Sequence, residues 1–251
     1  MPYRIDISSP PSDALDLLVE LGALDIEPAN NGLAAILPDS VTRDLLAIAL
    51  GTTHFNVSPA VSRDNGSVWL LTQRPVRIAS ALLRLTDSTV FGSGHHPTTA
   101  LCGEVLQERM SIAIPHSILD VGTGSGILAL TTLIMGVPQA VGLDIDACAL
   151  EVAARNASLN DVSHRLQLVL GGPDAVSGAW PLVVANILAA PLIEMAPVLV
   201  RRVESGGCLI LSGISASLES EVRQIYVRLG MRHTRSVSRG GWTLLVFQPS
   251  W

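Results

Sequence analysis

The sequence predicts an α/β protein in which a large, mostly parallel sheet ends in an antiparallel hairpin and follows a small α+β layer. Three observations predict it. From about residue 100, strand-like apolar runs alternate with helical patterns, and that alternation builds βα units with parallel strands. The final pair of apolar runs flanks Arg239, Gly240 and Gly241, and strands joined by so tight a Gly-Gly turn run antiparallel. Residues 1 to about 61 instead read strand, helix, strand, strand, helix, strand, the order of a ferredoxin-like layer.

Each element has a local reason. Residues 3–7 alternate as a half-buried strand does. Ser12 is placed to cap a helix that sets Leu15, Leu18, Val19 and Leu21 on one face. Residues 24–26 and 33–37 form a hairpin around Asn30, Asn31 and Gly32, because Asn-Gly accepts the positive φ of a tight turn. Asp39 or Ser40 caps a second helix to Leu50, and 54–61 closes the layer. Residues 62–67 mark a turn, 68–72 a short strand and 75–89 a connection. The larger region places strands at 117–121, 140–143, 166–170, 182–185 and 208–212, with helices such as 147–159 and 188–200 between them. Residues 231–237 and 242–247 are the closing hairpin. The expected organisation is a small domain over 1–74, a linker over 75–90 and a large domain over 91–251.

At 251 residues, 48% hydrophobic and 15% charged, the chain can bury a sizeable core. No apolar run reaches bilayer length and the start lacks secretory-signal character, so a cytoplasmic protein without a membrane partner is expected. The formal charge is −6, and all 16 Lys+Arg cations are arginine. Such a surface repels phosphate backbones, which argues against nucleic acid as the main partner; it either suits a basic protein substrate or merely keeps the protein soluble. Cys102, Cys148 and Cys208 are odd in number and widely spaced, which reads as reduced core thiols rather than disulfides.

The chemistry concentrates in two stretches, 91–99 and 119–126. In the second, a strand ends in Asp120 and opens into a turn with Gly122, Gly124 and Gly126 before the apolar helix start at 127–130. Glycine lets the backbone approach a ligand, and the new helix aims free N–H groups at it. A dinucleotide dehydrogenase wants glycine one place later, where this chain has Ile127. S-adenosylmethionine has no phosphate, and its binders tolerate the spacing seen here. In that reading the turn packs on the methionine moiety and Asp120 lies near its amino group.

Asp144 ends the second strand and can accept both ribose hydroxyls. Asp146 competes for that role or caps the helix beginning near Ala147. Asn186 ends the fourth strand, where its amide can accept a hydrogen bond from an incoming amine and aim the nitrogen, or can cap the next helix. His95, His96, Thr98 and Thr99 lie in the loop before the helix at Ala100. Thr99 either bonds the cofactor carboxylate or caps that helix. His96 is a candidate general base or a lid contact. No cluster of acids or cysteines joins the two histidines, so no metal is expected.

A parallel, Rossmann-like sheet with one reversed edge strand is the architecture of class I methyltransferases. The stretches FGSGHHPTTALC, ILDVGTGSGILAL, VGLDIDACAL, VVANILAAPL, LILSGI and GGWTLLVF occur in order over most of 90–251. On these the chain resembles the PrmA family, methyltransferases acting on the eleventh protein of the large ribosomal subunit. The resemblance implies S-adenosylmethionine contacts at Thr99, Gly122, Asp144 and Asn186 and a substrate-recognition role for the N-terminal domain. Two features depart from the family pattern: 86–89 stands where a Pro-Gly pair is expected, and Trp180-Pro181 where an acid precedes the fourth strand.

The activity these readings imply is methyl transfer to a lysine ε-amine or an N-terminal α-amine of a basic ribosomal protein, with Asn186 and His96 as catalytic candidates. The alternatives are the same chemistry on another protein lysine or a small amine, and a cofactor-binding module without catalysis. An adenine methyltransferase is disfavoured because Asn186 is not followed by the proline-proline-aromatic set that stacks a flipped base.

Overall fold

The computed structural model describes residues 3–11, 13–23, 25–29, 32–38, 40–59, 74–86 and 96–251. The chain divides into two compact units, one formed within 1–72 and the other by 73–86 and 92–251.

The first unit runs β1 (Tyr3–Ile7), α1 (Ala14–Glu20), β2 (Asp25–Ala29), β3 (Gly32–Leu37), α2 (Arg43–Leu50) and β4 (Phe55–Pro59). Its strands pair antiparallel in the order β2-β3-β1-β4, the ferredoxin-like layer expected from the sequence. The alternation in β1 buries Ile5 and Ile7 against Leu18 of α1 and Leu46 of α2, with Leu37 and Phe55 completing the core. The cap of α2 is Thr42, not Asp39 or Ser40: its Oγ1 accepts from the Leu45 N–H at 3.2 Å. Ser12, Asp39, Asn30, Asn31 and the strand expected at 68–72 lie outside the described residues.

The second unit begins with a hairpin, β5 (Arg74–Ile78) and β6 (Ala81–Leu85), where the sequence reading placed a plain connection. The alternation buries Ala81, Leu83 and Leu85 while Leu82 and Arg84 face out, and it holds the hairpin against the larger core. There follow α3 (Pro97–Ile112), β7 (Ser117–Val121), α4 (Ile127–Ile134), β8 (Gln139–Asp144), α5 (Ala147–Leu159), β9 (Leu166–Leu170) and β10 (Trp180–Asn186). The chain continues with α6 (Ala189–Glu194), α7 (Ala196–Arg201), β11 (Val203–Ser215), α8 (Glu219–Arg228), β12 (Met231–Arg239) and β13 (Trp242–Pro249). The helix expected over 188–200 is two, because Pro197 suits the first turn of a new helix better than the interior of an old one.

The seven-stranded sheet has the order β12-β13-β11-β10-β7-β8-β9. β9, β8, β7, β10 and β11 are parallel, and β13 and β12 add antiparallel neighbours at one edge. Strand order reverses between β7 and β10, the place where open α/β sheets bind ligands at their carboxyl ends. Alternation assigns each strand two faces. Ile118, Val184, Ile210, Leu244 and Val246 pack with α3 and α4, while Leu119, Val183, Leu209, Leu245 and Phe247 pack with α6, α7 and α8. At the outer edge, β12 carries Arg232, Arg235 and Arg239; Arg235 pairs with Glu108 of α3, and Arg239 with Glu104 at 2.9 Å. Among the described residues no helix is long and apolar enough to cross a membrane.

Candidate active site

The parity of the sheet faces decides what meets at its carboxyl edge. Asp120 continues the series of Ile118, Asn186 that of Val184, and Ser212 that of Ile210, so all three face the α3 side. Trp242 shares that face through Leu244 and Val246. These residues, together with Thr99 of α3, are buried. Among the described residues, Thr99 Oγ1, Asp120 Oδ1, Asn186 Oδ1, Ser212 Oγ and Trp242 Nε1 have no hydrogen-bond partner. An unpaired buried polar group costs about 1–3 kcal/mol. Several of them on one face at one sheet edge mark a place built to receive a polar ligand.

The glycine turn forms the floor of this place. Gly122, Gly124 and Gly126 all have positive φ, at 72°, 55° and 81°. A side chain at Gly122 would overlap Ile187, and one at Gly126 would press on Ala153 of α5 at 3.1 Å. Asp120 steadies the turn with one carboxylate oxygen: Oδ2 accepts from Thr123 Oγ1 at 2.7 Å and from the Ala129 N–H at 3.1 Å. Burial pushes its carboxyl up to about 6; the two hydrogen bonds pull it back, and the Asp144 charge adds to the rise.

Asp144 ends β8 half-buried. Its Oδ2 accepts from the Gly124 N–H at 2.8 Å and its Oδ1 from the Asp146 N–H at 3.0 Å. The carboxylate therefore ties the second strand to the glycine turn and keeps further lone pairs for a ligand. Asp146 takes the other role considered for it, capping α5 by accepting from the Cys148 N–H at 2.9 Å. Cys148 is exposed there, unlike the buried Cys102 and Cys208, so only two of the three free thiols are core residues.

Asn186 pairs in register with Ser212, and the next residue, Ile187, donates its N–H to the Ser212 carbonyl at 3.1 Å. Ile187 is wedged between Gly122 and Gly213, where any side chain would collide with it. That wedge fixes the backbone beside Asn186. The α6 cap position falls to Leu188, with no side-chain cap, so Asn186 is not spent on capping.

Thr99 does not cap α3 either; His96 does. The His96 Nδ1 lies 2.7 Å from Thr98 Oγ1 and accepts from the Thr98 N–H at 3.3 Å, while the ring meets Trp242 edge-on at 5.1 Å. Burial lowers the His96 pKa to about 4. His95 and residues 91–94 lie outside the described residues.

The structure thus brings Thr99, Asp120, the three glycines, Asp144 and Asn186 to one edge, with His96 at the start of α3 against Trp242. Sequence reasoning missed Ser212 and Trp242. The signal was present: a serine ends the apolar run 208–211, and a tryptophan opens the last strand next to a Gly-Gly turn.

The profile of the ribosomal protein L11 methyltransferase (PrmA) family matches residues 68–250. A ribosomal protein L11 methyltransferase of Pelobacter propionicus is 34% identical over 76% of this chain and 69% of its own length. One from Brucella suis is 39% identical over 92% of this chain and 78% of its own. The match to the Geobacter metallireducens relative, 40% identical, spans only 54% of that protein. Among solved structures, the ribosomal protein L11 methylase of Lactobacillus delbrueckii subsp. bulgaricus superposes with a TM-score of 0.64 at 28% identity, covering 72% of this chain and 91% of that one. Precorrin-6y C5,15-methyltransferase of Geobacter metallireducens shares the fold, with a TM-score of 0.53 at 15% identity over 63% of this chain and 93% of its own. The profile match and these relatives agree with the motifs at the sheet edge: the chain belongs to the ribosomal protein L11 methyltransferase (PrmA) family.

Proposed function

We propose that this chain methylates amines of ribosomal protein L11 using S-adenosylmethionine, with the first unit recognising the protein substrate. The observation that carries the reading is Asn186 Oδ1, buried without a partner among the described residues at the carboxyl edge of the sheet, as are Asp120 Oδ1 of β7 and Thr99 Oγ1 of α3. The residues fit that cofactor. Asp120 offers an acceptor to an ammonium group, Thr99 Oγ1 and the Trp242 N–H offer donors to a carboxylate, Asp144 offers lone pairs to ribose hydroxyls, and the glycine turn clears space for the backbone to come close. When bound, the cofactor supplies an electrophilic sulfonium methyl, so the hard chemistry is not the protein's.

What the chain must do is present a neutral amine in line. A lysine with pKa near 10.4 spends about 4.6 kcal/mol to be neutral at pH 7. Desolvation at this edge lowers that pKa, and Asn186 Oδ1 accepts an N–H of the amine and aims its lone pair. His96, neutral at pH 7 and engaged with Thr98, works in this reading by holding the start of α3, and the proton leaves to water. The substrate also implies the cytoplasm as the place of action, and an acidic chain suits a basic ribosomal protein.

The test pairs calorimetric titration of S-adenosylhomocysteine with methyl transfer from labelled S-adenosylmethionine to purified L11, read by mass spectrometry of its peptides. Binding with label on L11 amines is the expected result. Binding without label on L11, with label on another protein when a cell lysate is supplied instead, moves the substrate elsewhere, and absence of binding removes the cofactor reading altogether.

A further inference from the structure

We propose that Asn156 is a positioning residue for the glycine turn, tying the end of β6 to that turn through one buried carboxamide. The proposal rests on the reading of 122–126 as the turn that holds the cofactor. Asn156 lies within α5 and is fully buried. Its Oδ1 accepts from the Thr86 N–H at 2.8 Å and from Thr86 Oγ1 at 2.9 Å, and its Nδ2 donates to the Ser125 carbonyl at 2.8 Å. The chemistry fixes the orientation of the amide, because a backbone N–H only donates and a carbonyl only accepts.

Asparagine is a poor helix former, so a buried one inside α5 is held by what it bonds rather than by propensity. One turn later, Asn160 accepts from the Arg84 N–H at 2.9 Å and donates to the Arg84 carbonyl at 2.7 Å. A side-chain amide there copies the pairing of a neighbouring strand and fastens β6 to α5. Asn160 Nδ2 also donates to the Asn156 carbonyl of its own helix at 2.7 Å, and none of its bonds goes to the glycine turn. Asn156 reaches on to Ser125, the residue between Gly124, whose N–H holds Asp144, and Gly126, which Ala153 of α5 packs against. The position of the β6 end and the position of the turn are therefore set by the same side chain. Thr86 also directly precedes the segment 87–95, which carries the Phe91-Gly92-Ser93-Gly94 motif. One amide thus joins the chain leading into that motif to the glycine turn.

The test uses the full chain and three measurements: S-adenosylhomocysteine affinity by calorimetry, turnover on L11, and thermal unfolding. Asn156→Asp keeps the acceptor for Thr86 and sets a second acceptor against the Ser125 carbonyl. It is expected to weaken affinity at least tenfold. Asn160→Ala removes the Arg84 strap and one hydrogen bond to the Asn156 backbone carbonyl, leaves the Asn156 carboxamide its own partners, and is expected to lower the unfolding temperature with affinity kept within twofold. A merely structural Asn156 would lose stability like Asn160 and keep its affinity, and that result overturns the proposal. If Asn156→Asp does not fold, Asn156→Ala decides, since it removes the bonds to both Thr86 and Ser125: a severalfold loss of affinity supports the link and unchanged affinity overturns it. Failure of the unsubstituted chain to bind S-adenosylhomocysteine strikes the cofactor reading itself, and this proposal with it.

Discussion

The two units bury different things. Among the described residues of the first unit every buried side chain is hydrocarbon, from Ile5 and Ile7 to Leu46 and Phe55. The second unit buries Asp120, Asn156, Asn186, Ser212 and several threonines among its aliphatic residues. Most of these are paid for internally: Thr131 and Thr132 hydroxyls donate to carbonyls of their own helix, and Asn156 is fully engaged. The exceptions gather at one sheet edge. Among the described residues, the buried side-chain atoms without a partner are confined to this edge, the pattern expected where a fold receives a polar ligand.

The sharpest way to break this contrast is Asn186→Ala. It should lower turnover on the order of 10²-fold or more, with S-adenosylhomocysteine affinity changed only severalfold, because the side chain is assigned to aiming the amine and is one of several cofactor contacts. Retained turnover would end its positioning role. Next in size is the hydrocarbon core of the first unit. Leu46→Ala should destabilise that unit by about 3 kcal/mol in denaturant unfolding and leave cofactor affinity unchanged. A loss of affinity would show that the units are not energetically separate.

A smaller effect comes from Asp120. Its carboxyl is raised from 3.8 to about 6, so below pH 6 the free chain holds a proton that an ammonium-bearing ligand must displace. Affinity should therefore fall as pH falls through 6 and be about tenfold weaker at pH 5 than at pH 7.5, with Asp120→Asn flattening the profile. The same shift favours the proton in the folded state, so it subtracts stability from the unliganded fold as pH rises from 3.8 through about 6. The smallest effect belongs to Ile48, two residues from Leu46 on α2 but 79% exposed. Ile48→Ser should move stability by no more than about 0.5 kcal/mol in the same unfolding assay.

Local signals carried much of this architecture. The strands 117–121 and 166–170 and the helix 147–159 were readable to the residue, because each is bounded by its own turn or cap chemistry, as Asp146 shows for α5. The glycine turn and the acid that ends β8 were legible because each directly follows a strand-like apolar run in sequence. What escaped reading depends on partners distant in sequence. The hairpin at 74–85 reads as a connection because Arg74, Pro75 and Arg77 leave its first strand few apolar residues, and only packing on the main core gives its alternation a face to bury. Trp242 and Ser212 join the site through strand order, which brings β13 beside β11 and β11 beside β10. The break between α6 and α7 had a visible cause in Pro197, outweighed in the reading by continuous apolar periodicity.

The arginines of β12 have a consequence for how this sheet meets other molecules. An outermost strand offers a row of backbone donors and acceptors to any extended chain that drifts past. Here Arg232, Arg235 and Arg239 are spaced along that row, the last two anchored to Glu108 and Glu104. Docking a further strand would crowd or desolvate guanidinium groups, which discourages fibril-like growth from this side. The opposite border, β9, is only five residues long and offers little template. The sheet is closed to polymerisation by charge at one end and by brevity at the other.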